Sequence, residues 1–593
     1  MVATKRFRVW GLVCAVAFLV CELISRPFAE LGIADDWSYI LTAKRLAETG
    51  HIVYNGWATA MIGWQLYVAA GLVKLFGFSF STVRMTNVLF GVATSFLIER
   101  IFVRAGVRER NAVIATLALV LSPVYMLVST SFMTDTGGML AIAVCAYCCV
   151  RALQAASGGS AIGWLWGAAL GNAICGTSRQ ISWLGVLAMV PSTLWLLRSN
   201  RRVLLWGTAA MLSGWGVMAF SLHWFLQQPY SLPEDLVHGI PAPKVMGYMA
   251  RNMLRAVLEV VLLALPLTLG FVREFRRSGW RVWLTVVVLG IGYTALGMHE
   301  AKTHPVGVML EPTLVDWLGP QGFYAGQLLA GPGPVPLGTG IRIVLTALSL
   351  AGLIAVVLFI LRLRGLKAPG TPPAAEPGEP RLSWTQLGYL LVPFTLAYFV
   401  LLLPRSMSEI LDRYMLEIVF VAVLCMVRAY EDFVSPALPA LTVALVGLVA
   451  VCSIGCTHDM FAFYRARVEL AKGLEAAGVP QNTFDGGQEY NGWVELEHFP
   501  HINDPRMINP PHQFVKVSPY RAPSCDGSGP TFEGFLHFDP QYGVAFDKNA
   551  CQGATPFAPA RYFRWLGFGW TTIYIVKYGP TTPPADYVPA AGN

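Results

Sequence analysis

Runs of about 15–21 apolar residues recur between residues 10 and 456. Each is long enough to cross a hydrocarbon core of roughly 30 Å as a helix rising about 1.5 Å per residue. A chain with so many of them is shaped first by the bilayer. Only 13% of its 593 residues are charged, well below the roughly one quarter usual in soluble domains. The net charge of +8 does not point to nucleic acid, because it comes largely from Lys and Arg at the ends of apolar segments, where they set orientation. The class expected is an all-α polytopic membrane protein.

Lys5, Arg6 and Arg8 precede an apolar stretch at about 10–25, as in a signal peptide, but the small-residue cleavage pattern is missing. The stretch is read as an uncleaved first span. Further spans fall at about 83–98, 112–130, 137–150, 160–176, 181–197, 203–222, 252–271, 282–297, 341–361, 385–403, 413–427 and 437–456. That makes about thirteen, with the N-terminus inside and the C-terminus outside. The seven inside segments total about 78 residues and hold 20 of the 43 Lys and Arg. The outside loops before residue 457 are about twice as long and hold 9, in keeping with the positive-inside bias. Residues 59–79 could also span, but counting them would put Arg100, Arg104, Arg108 and Arg110 outside. They are read as a half-buried or interfacial helix with Lys74 snorkelling.

The inside loop at 367–381 is Pro-rich, and the outside loop at 298–340 carries Glu300, Lys302, His304, Glu311 and Asp316. Residues 1–456 form the transmembrane domain. Residues 457–593 form a polar, aromatic tail, expected to fold as a small α+β domain on the outer face. It opens with a helical pattern, FYRARVELAKGLEAAG, and GWTTIYIV near its end reads as a strand. Nine of the eleven cysteines lie in or beside apolar segments, where a buried thiol is the plain reading. Cys525 and Cys551 are the two cysteines of the tail, and an oxidising outer compartment predicts that they pair, with pairing to Cys456 at the end of the last span, or two unpaired buried thiols, as the alternatives.

The segment ADDWSYILTAKRLAETG at 34–50 lies just outside the first span. An amphipathic helix follows Asp35 and Asp36 and ends at Gly50. Asp35 could serve only as its cap and Asp36 as a complement to its dipole, together worth about 1 kcal/mol. Two adjacent carboxylates at a membrane surface exceed what a cap needs, and such acids suit deprotonation of an acceptor hydroxyl. Asp135 in STSFMTDTGGML falls at the same outer surface, with a helix cap as its alternative role and the following Gly-Gly suiting a turn. Arg179, Arg413, Arg84, Lys302 and His304 supply cationic groups on that face, each with interfacial anchoring as the alternative. The planar fork of Arg matches a phosphate, and topology disfavours cations on this side, which singles out Arg179 and Arg413. No nucleotide-phosphate loop, dinucleotide fingerprint, HExxH or zinc-spaced CxxC pair is present. An outward-facing enzyme without such a loop needs a donor other than a cytosolic nucleotide, and a lipid-linked donor meets that need.

At these residues the chain resembles the GT-C superfamily of membrane glycosyltransferases, especially bacterial relatives of protein O-mannosyltransferases and aminoarabinose transferases. The run Asp35-Asp36-Trp37-Ser38-Tyr39 matches the acidic pair and following Tyr of the family's first outer loop. Arg84 leading into the second span, Asp135 between the third and fourth, and Arg413-Tyr414 opening a late span complete the pattern. The resemblance implies inverting transfer from a polyprenyl-phosphate sugar to a glycan, lipid or protein acceptor. It makes Asp35 the base, Asp36 a supporting acid and the arginines phosphate ligands. Asp36 stands where many members have Glu, and the tail is this chain's own. Some members use a divalent metal; no ligand cluster for one is evident in the sequence. The resemblance places the protein in a bacterial inner membrane with its tail in the periplasm. A transporter or flippase of lipid-linked sugars is the alternative, followed by a scaffold displaying the tail. Acids at the outer boundary, an odd number of spans and the lack of a repeat weigh against transport.

Overall fold

A computed structural model of the chain describes residues 9–57, 61–233, 243–277, 339–363, 381–407, 410–502 and 540–578 other than 554, with scattered positions between 279 and 338. Six helices are long and apolar enough to cross a membrane: Phe80–Arg104, Thr134–Leu153, Arg201–Leu226, Gly340–Leu363, Trp384–Arg405 and Ala440–Ala476. Two bent pairs raise the number to eight if each is one span. Glu109–Val120 turns by 67° into Pro123–Ser129, and Met249–Leu263 turns by 76° into Leu265–Phe275. Pro123 and Pro266 sit at the first turn after each break, where a missing N–H is tolerated.

Thirteen straight spans were expected, and the described residues fall short of that for physical reasons. Val9–Ile24 and Gln180–Leu196 are apolar but too short to meet the length of a full span. The helix Leu416–Phe433 carries Glu417, Arg428, Glu431 and Asp432, and much of it is buried in the bundle. The segment expected at 282–297 lies mostly outside the described residues. The run at 59–79 forms a 13-residue helix, Trp64–Phe76, about 20 Å long and too short to cross. The last span and the helical opening of the tail are one helix, Ala440–Ala476, so the boundary drawn at 456 falls inside it. At about 55 Å it extends well beyond a hydrocarbon core.

Beyond that helix lies a four-stranded sheet of order β3-β4-β6-β5, with β3 Phe484–Asp485, β4 Tyr542–Ala545, β5 Ala560–Arg564 and β6 Gly569–Lys577. A two-stranded hairpin, β1 Leu318–Gly319 and β2 Gly322–Phe323, precedes it in the chain. Strand β6 contains the expected GWTTIYIV run, and the helix Gln488–His498 packs beside the sheet. This unit is fastened to the first loop. Gly492 lets the buried Trp37 ring approach, since a Cβ there would meet it at 2.6 Å. Arg45 donates to the carbonyls of Pro500 and Leu496, and Ile502 N–H donates to Asn55 O at 2.7 Å. Glu489 pairs with Arg467 at 2.9 Å and accepts from the Tyr464 hydroxyl. Cys551 is bonded in a disulfide; Cys525, the partner assigned to it by sequence, lies outside the described residues.

One buried ion pair organises the first loop. Arg84 Nε lies 2.8 Å from Asp36 Oδ2, and both side chains are almost fully excluded from solvent. The remaining guanidinium nitrogens donate to the carbonyls of Ala29 and Leu31. Asp36 also accepts from Ile33 N–H and from Phe132 N–H, three residues before Asp135. Arg84 was expected among the donor-binding groups and Asp36 as an acid facing the acceptor or a metal. In the structure both are buried and bonded to each other and to backbone groups of the fold. Replacing Arg84 with Ala leaves Asp36 a buried, uncompensated charge, and chemical unfolding in detergent is expected to show a loss of about 3–5 kcal/mol. A loss below 1 kcal/mol would show that the pair is not structural.

Candidate active site

Asp35 emerges directly from this lock. The preceding Ala34 has φ of 50°, a left-handed backbone rare for a side-chain-bearing residue, and it is buried there. Asp35 occupies the cap position of helix Asp36–Thr49, yet its side chain makes no capping bond. Its Oδ1 accepts from Trp57 Nε1 at 2.8 Å instead, so the capping role is not realised. The carboxyl's pKa is raised, chiefly by burial. The Trp57 hydrogen bond and the Arg413 charge oppose the shift, while Glu489 and Asp36 reinforce it.

Asp135 lies in the first turn of helix Thr134–Leu153, whose cap position is held by Met133 without a side-chain bond. The strand of chain before it is stitched in place from two helices. Gln65 donates to Asn87 and to Met133 O, and Asn87 donates to Ser131 O and Met133 O. Gly137 and Gly138 are part of the helix rather than a turn. A Cβ on Gly138 would press on Ser182 Oγ at 2.6 Å and on the Arg179 side chain, so glycine here lets Arg179 cross the helix closely. Asp135 Oδ1 is 2.5 Å from Arg179 Nη1, and Oδ2 is 3.9 Å from Arg413 Nη1. One carboxylate therefore faces both arginines that the sequence singles out.

Arg179 sits in extended backbone between two short 3-10 turns, with a π-helical stretch from Gly185 to Met189 beyond them. Asn172 holds this irregular passage by donating to Ala141 O and Ser182 O and accepting from Val186 N–H. Such interruptions of a helix frequently mark functional positions. Arg179 lies over the Tyr414 ring at 4.8 Å and 3.7 Å from Glu417 Oε1. Burial disfavours its charge, but Asp135 and Glu417 outweigh that and push its pKa up.

Arg413 opens the Leu416–Phe433 helix through a 3-10 turn, Asp412–Met415. Asp412 accepts from the N–H groups of Trp317 and Leu318 at 2.8 Å each, and Glu259 accepts from Leu314 N–H. These two carboxylates clamp the loop that presents Asp316, whose Oδ2 is 3.3 Å from Arg413 Nε. Burial pushes the Asp316 carboxyl up to about 8; Arg413 opposes this, and Asp412, Asp135 and Asp35 add to it. Asp412 is pushed to about 6, again chiefly by burial.

Several buried polar atoms converge here without hydrogen-bond partners among the described residues: Arg413 Nε and Nη1, Asp135 Oδ2, Asp316 Oδ2 and Glu417 Oε1. Buried polar atoms are nearly always paired, so such a cluster marks a place for a ligand. Tyr39 is buried nearby, its pKa raised by burial and by Asp35, and Tyr414 lies under both guanidinium groups. Lys302 and His304 lie outside the described residues. Among the described residues no group of three or more His, Cys, Asp or Glu side chains is arranged to hold a metal ion.

Asp316, Glu417, Tyr398 and Trp57 join the site without having been singled out by sequence. Glu417 had a signal: it stands four residues after Arg413, inside an apolar segment where acids are rare. Tyr398, whose hydroxyl lies 3.0 Å from Glu417 Oε2, and Trp57 reach the site only through the fold.

The family model described as dolichyl-phosphate-mannose-protein mannosyltransferase matches residues 64–225, a stretch that includes Arg84, Asp135 and Arg179. No curated protein matches the chain. Among solved structures it is similar to the S. cerevisiae protein O-mannosyltransferase Pmt1-Pmt2 complex bound to the sugar donor, at 15% identity and a TM-score of 0.31. That match takes in 38% of this chain and 34% of the other. ArnT from Cupriavidus metallidurans is similar at 15% identity in the apo state (TM-score 0.32, 78% of this chain and 80% of that one). It is similar also when bound to undecaprenyl phosphate (TM-score 0.33, 81% and 83%). The likeness to this family of membrane glycosyltransferases therefore rests on residues 64–225, which lie within a multi-pass helical frame.

Proposed function

We propose that the protein transfers a sugar from a polyprenyl-phosphate donor to a hydroxyl acceptor, with inversion at the anomeric carbon. The observation that carries this reading is the buried, unsatisfied cluster around Arg413, faced by Arg179 and by the half-buried Asp35. Planar guanidinium groups match a phosphate in two-pronged fashion, and the family matched over residues 64–225 is named for a lipid-phosphate sugar donor. Asp35 takes the proton of the acceptor hydroxyl as its oxygen attacks the anomeric carbon. The bond from that carbon to the phosphate oxygen breaks, and the charge gathering on the phosphate is met by Arg413 and Arg179. A raised pKa makes Asp35 a stronger base than an ordinary carboxylate. Asp135 acts by holding both arginines rather than by touching the proton.

Asp35→Asn keeps an acceptor for Trp57 while removing the base. Sugar transfer by purified protein is expected to fall by about 10²–10⁴ with the unfolding transition unchanged. Wild-type transfer in a folded Asp35→Asn protein would remove Asp35 from the chemistry.

Asp316 gives the reading a pH signature. Below about 8 its carboxyl holds a proton and leaves Arg413 to the donor; above that it ionises and competes for the same guanidinium. Affinity for a polyprenyl-phosphate mannose, whose diester does not titrate in this range, is expected to fall as pH rises through about 8. The same titration with Asp316→Asn is expected to be flat. An identical decline in both proteins would place the titrating group elsewhere.

A further inference from the structure

The hairpin joining β5 to β6 carries a set of aromatic side chains that the transferase reading does not use. Phe568 at its tip is 89% exposed and Trp570 62%, and Phe563, paired with Trp570 across the strands, is exposed as well. Phe568 also has φ of 44°, an unfavourable backbone for a bulky residue. A soluble tip seldom holds large rings in water this way.

The contacts of the hairpin give its direction. Tyr562 lies against Phe463, with ring centroids 5.8 Å apart. Trp565 stacks on His458 at 3.8 Å, and the N–H groups of Trp565 and Leu566 donate to Asp459. Leu566 then fills the space above Gly455, where a Cβ would meet it at 2.9 Å. As the chain runs from 562 to 566, it therefore descends helix Ala440–Ala476 from residue 463 to residue 455, about 12 Å at 1.5 Å per residue.

Those helix positions bracket the membrane boundary. Asp459 is the first charged residue after the apolar run, and one to two turns below Gly455 the helix shows Cys452, Val451 and Leu448 outward, Val451 being 66% exposed. The outward surface of a spanning helix at that depth faces lipid. The tip, Phe568, two residues beyond Leu566, continues that surface. Arg561 lies at the opposite end of the exposed face, with its guanidinium 5.5 Å from the Trp570 ring. The Arg564 guanidinium lies against Gly567 in the turn, and aromatic rings beside Arg side chains at headgroup depth are the pattern of membrane interfaces.

We propose that the β5–β6 hairpin dips its tip, Phe568 with Trp570 and Phe563, into the interfacial layer of the bilayer beside helix Ala440–Ala476. The partner is the boundary between lipid headgroups and acyl chains. The contact holds the C-terminal unit on the membrane surface and does not depend on the reaction proposed above.

The test uses the full chain in liposomes, with the exposed Cys452 changed to Ala and the parent's residual label signal subtracted. A nitroxide is placed at Phe568→Cys, with Val451→Cys as the lipid reference and Lys548→Cys, an exposed position on the same unit, as the water reference. Power saturation is expected to show the label at 568 more accessible to oxygen than to a soluble nickel chelate, as at 451, and the reverse at 548. Greater access to nickel than to oxygen at 568 overturns the proposal. If Phe568→Cys fails to insert, Trp570→Cys gives the same two outcomes.

Discussion

The Asp36–Arg84 pair is the contact on which the site's geometry rests. One carboxylate receives a guanidinium, the Ile33 N–H and the Phe132 N–H, so the first loop, the Phe80–Arg104 helix and the approach to Asp135 are tied at one point. Breaking a pair buried this deeply leaves a lone charge in an apolar surround, which is why it specifies one arrangement. Asp35 borrows that rigidity by being next in the chain, and Asp135 by lying three residues from Phe132. Of two adjacent acids, one serves the fold and the other is left to face the cluster.

The cluster itself is a balance between carboxylates and arginines. Asp135 reaches both Arg179 and Arg413, Glu417 lies near Arg179, and Asp316 near Arg413. Acids enough to keep two guanidinium groups charged away from water are thus provided, while several of the facing atoms still lack hydrogen bonds. Such an arrangement is stable enough to persist and leaves capacity for an anion that offers better geometry. Tyr414, stacked below both guanidinium groups, limits how far they can swing.

Much of the frame was legible because its causes are local. Apolar runs produced most of the spanning helices, and the order of Asp35, Asp135, Arg179 and Arg413 along the chain was sufficient to gather them at one end of the bundle. What the sequence could not reveal depends on distant partners. Nothing local distinguishes Asp36 from Asp35; only Arg84, 48 residues away, does so. Asp316 reads as one charge among several in a long loop until Asp412 and Glu259 clamp its neighbours. The single helix Ala440–Ala476 was divided in two because its polarity changes near residue 457 while its backbone does not.

The C-terminal unit lies over the same end of the bundle, held by Trp37 against Gly492 and by Arg45 on the carbonyls after it. Both Glu489 of this unit and Arg413 of the cluster act on the Asp35 carboxyl. The most direct measurement of this account is the affinity of sugar-free polyprenyl phosphate for the detergent-purified protein and for its Arg413→Ala variant. The account predicts a loss of about 1.5–3 kcal/mol, roughly 10- to 150-fold in Kd, with folding retained. An unchanged Kd would contradict it and leave Arg413 as a structural cation only.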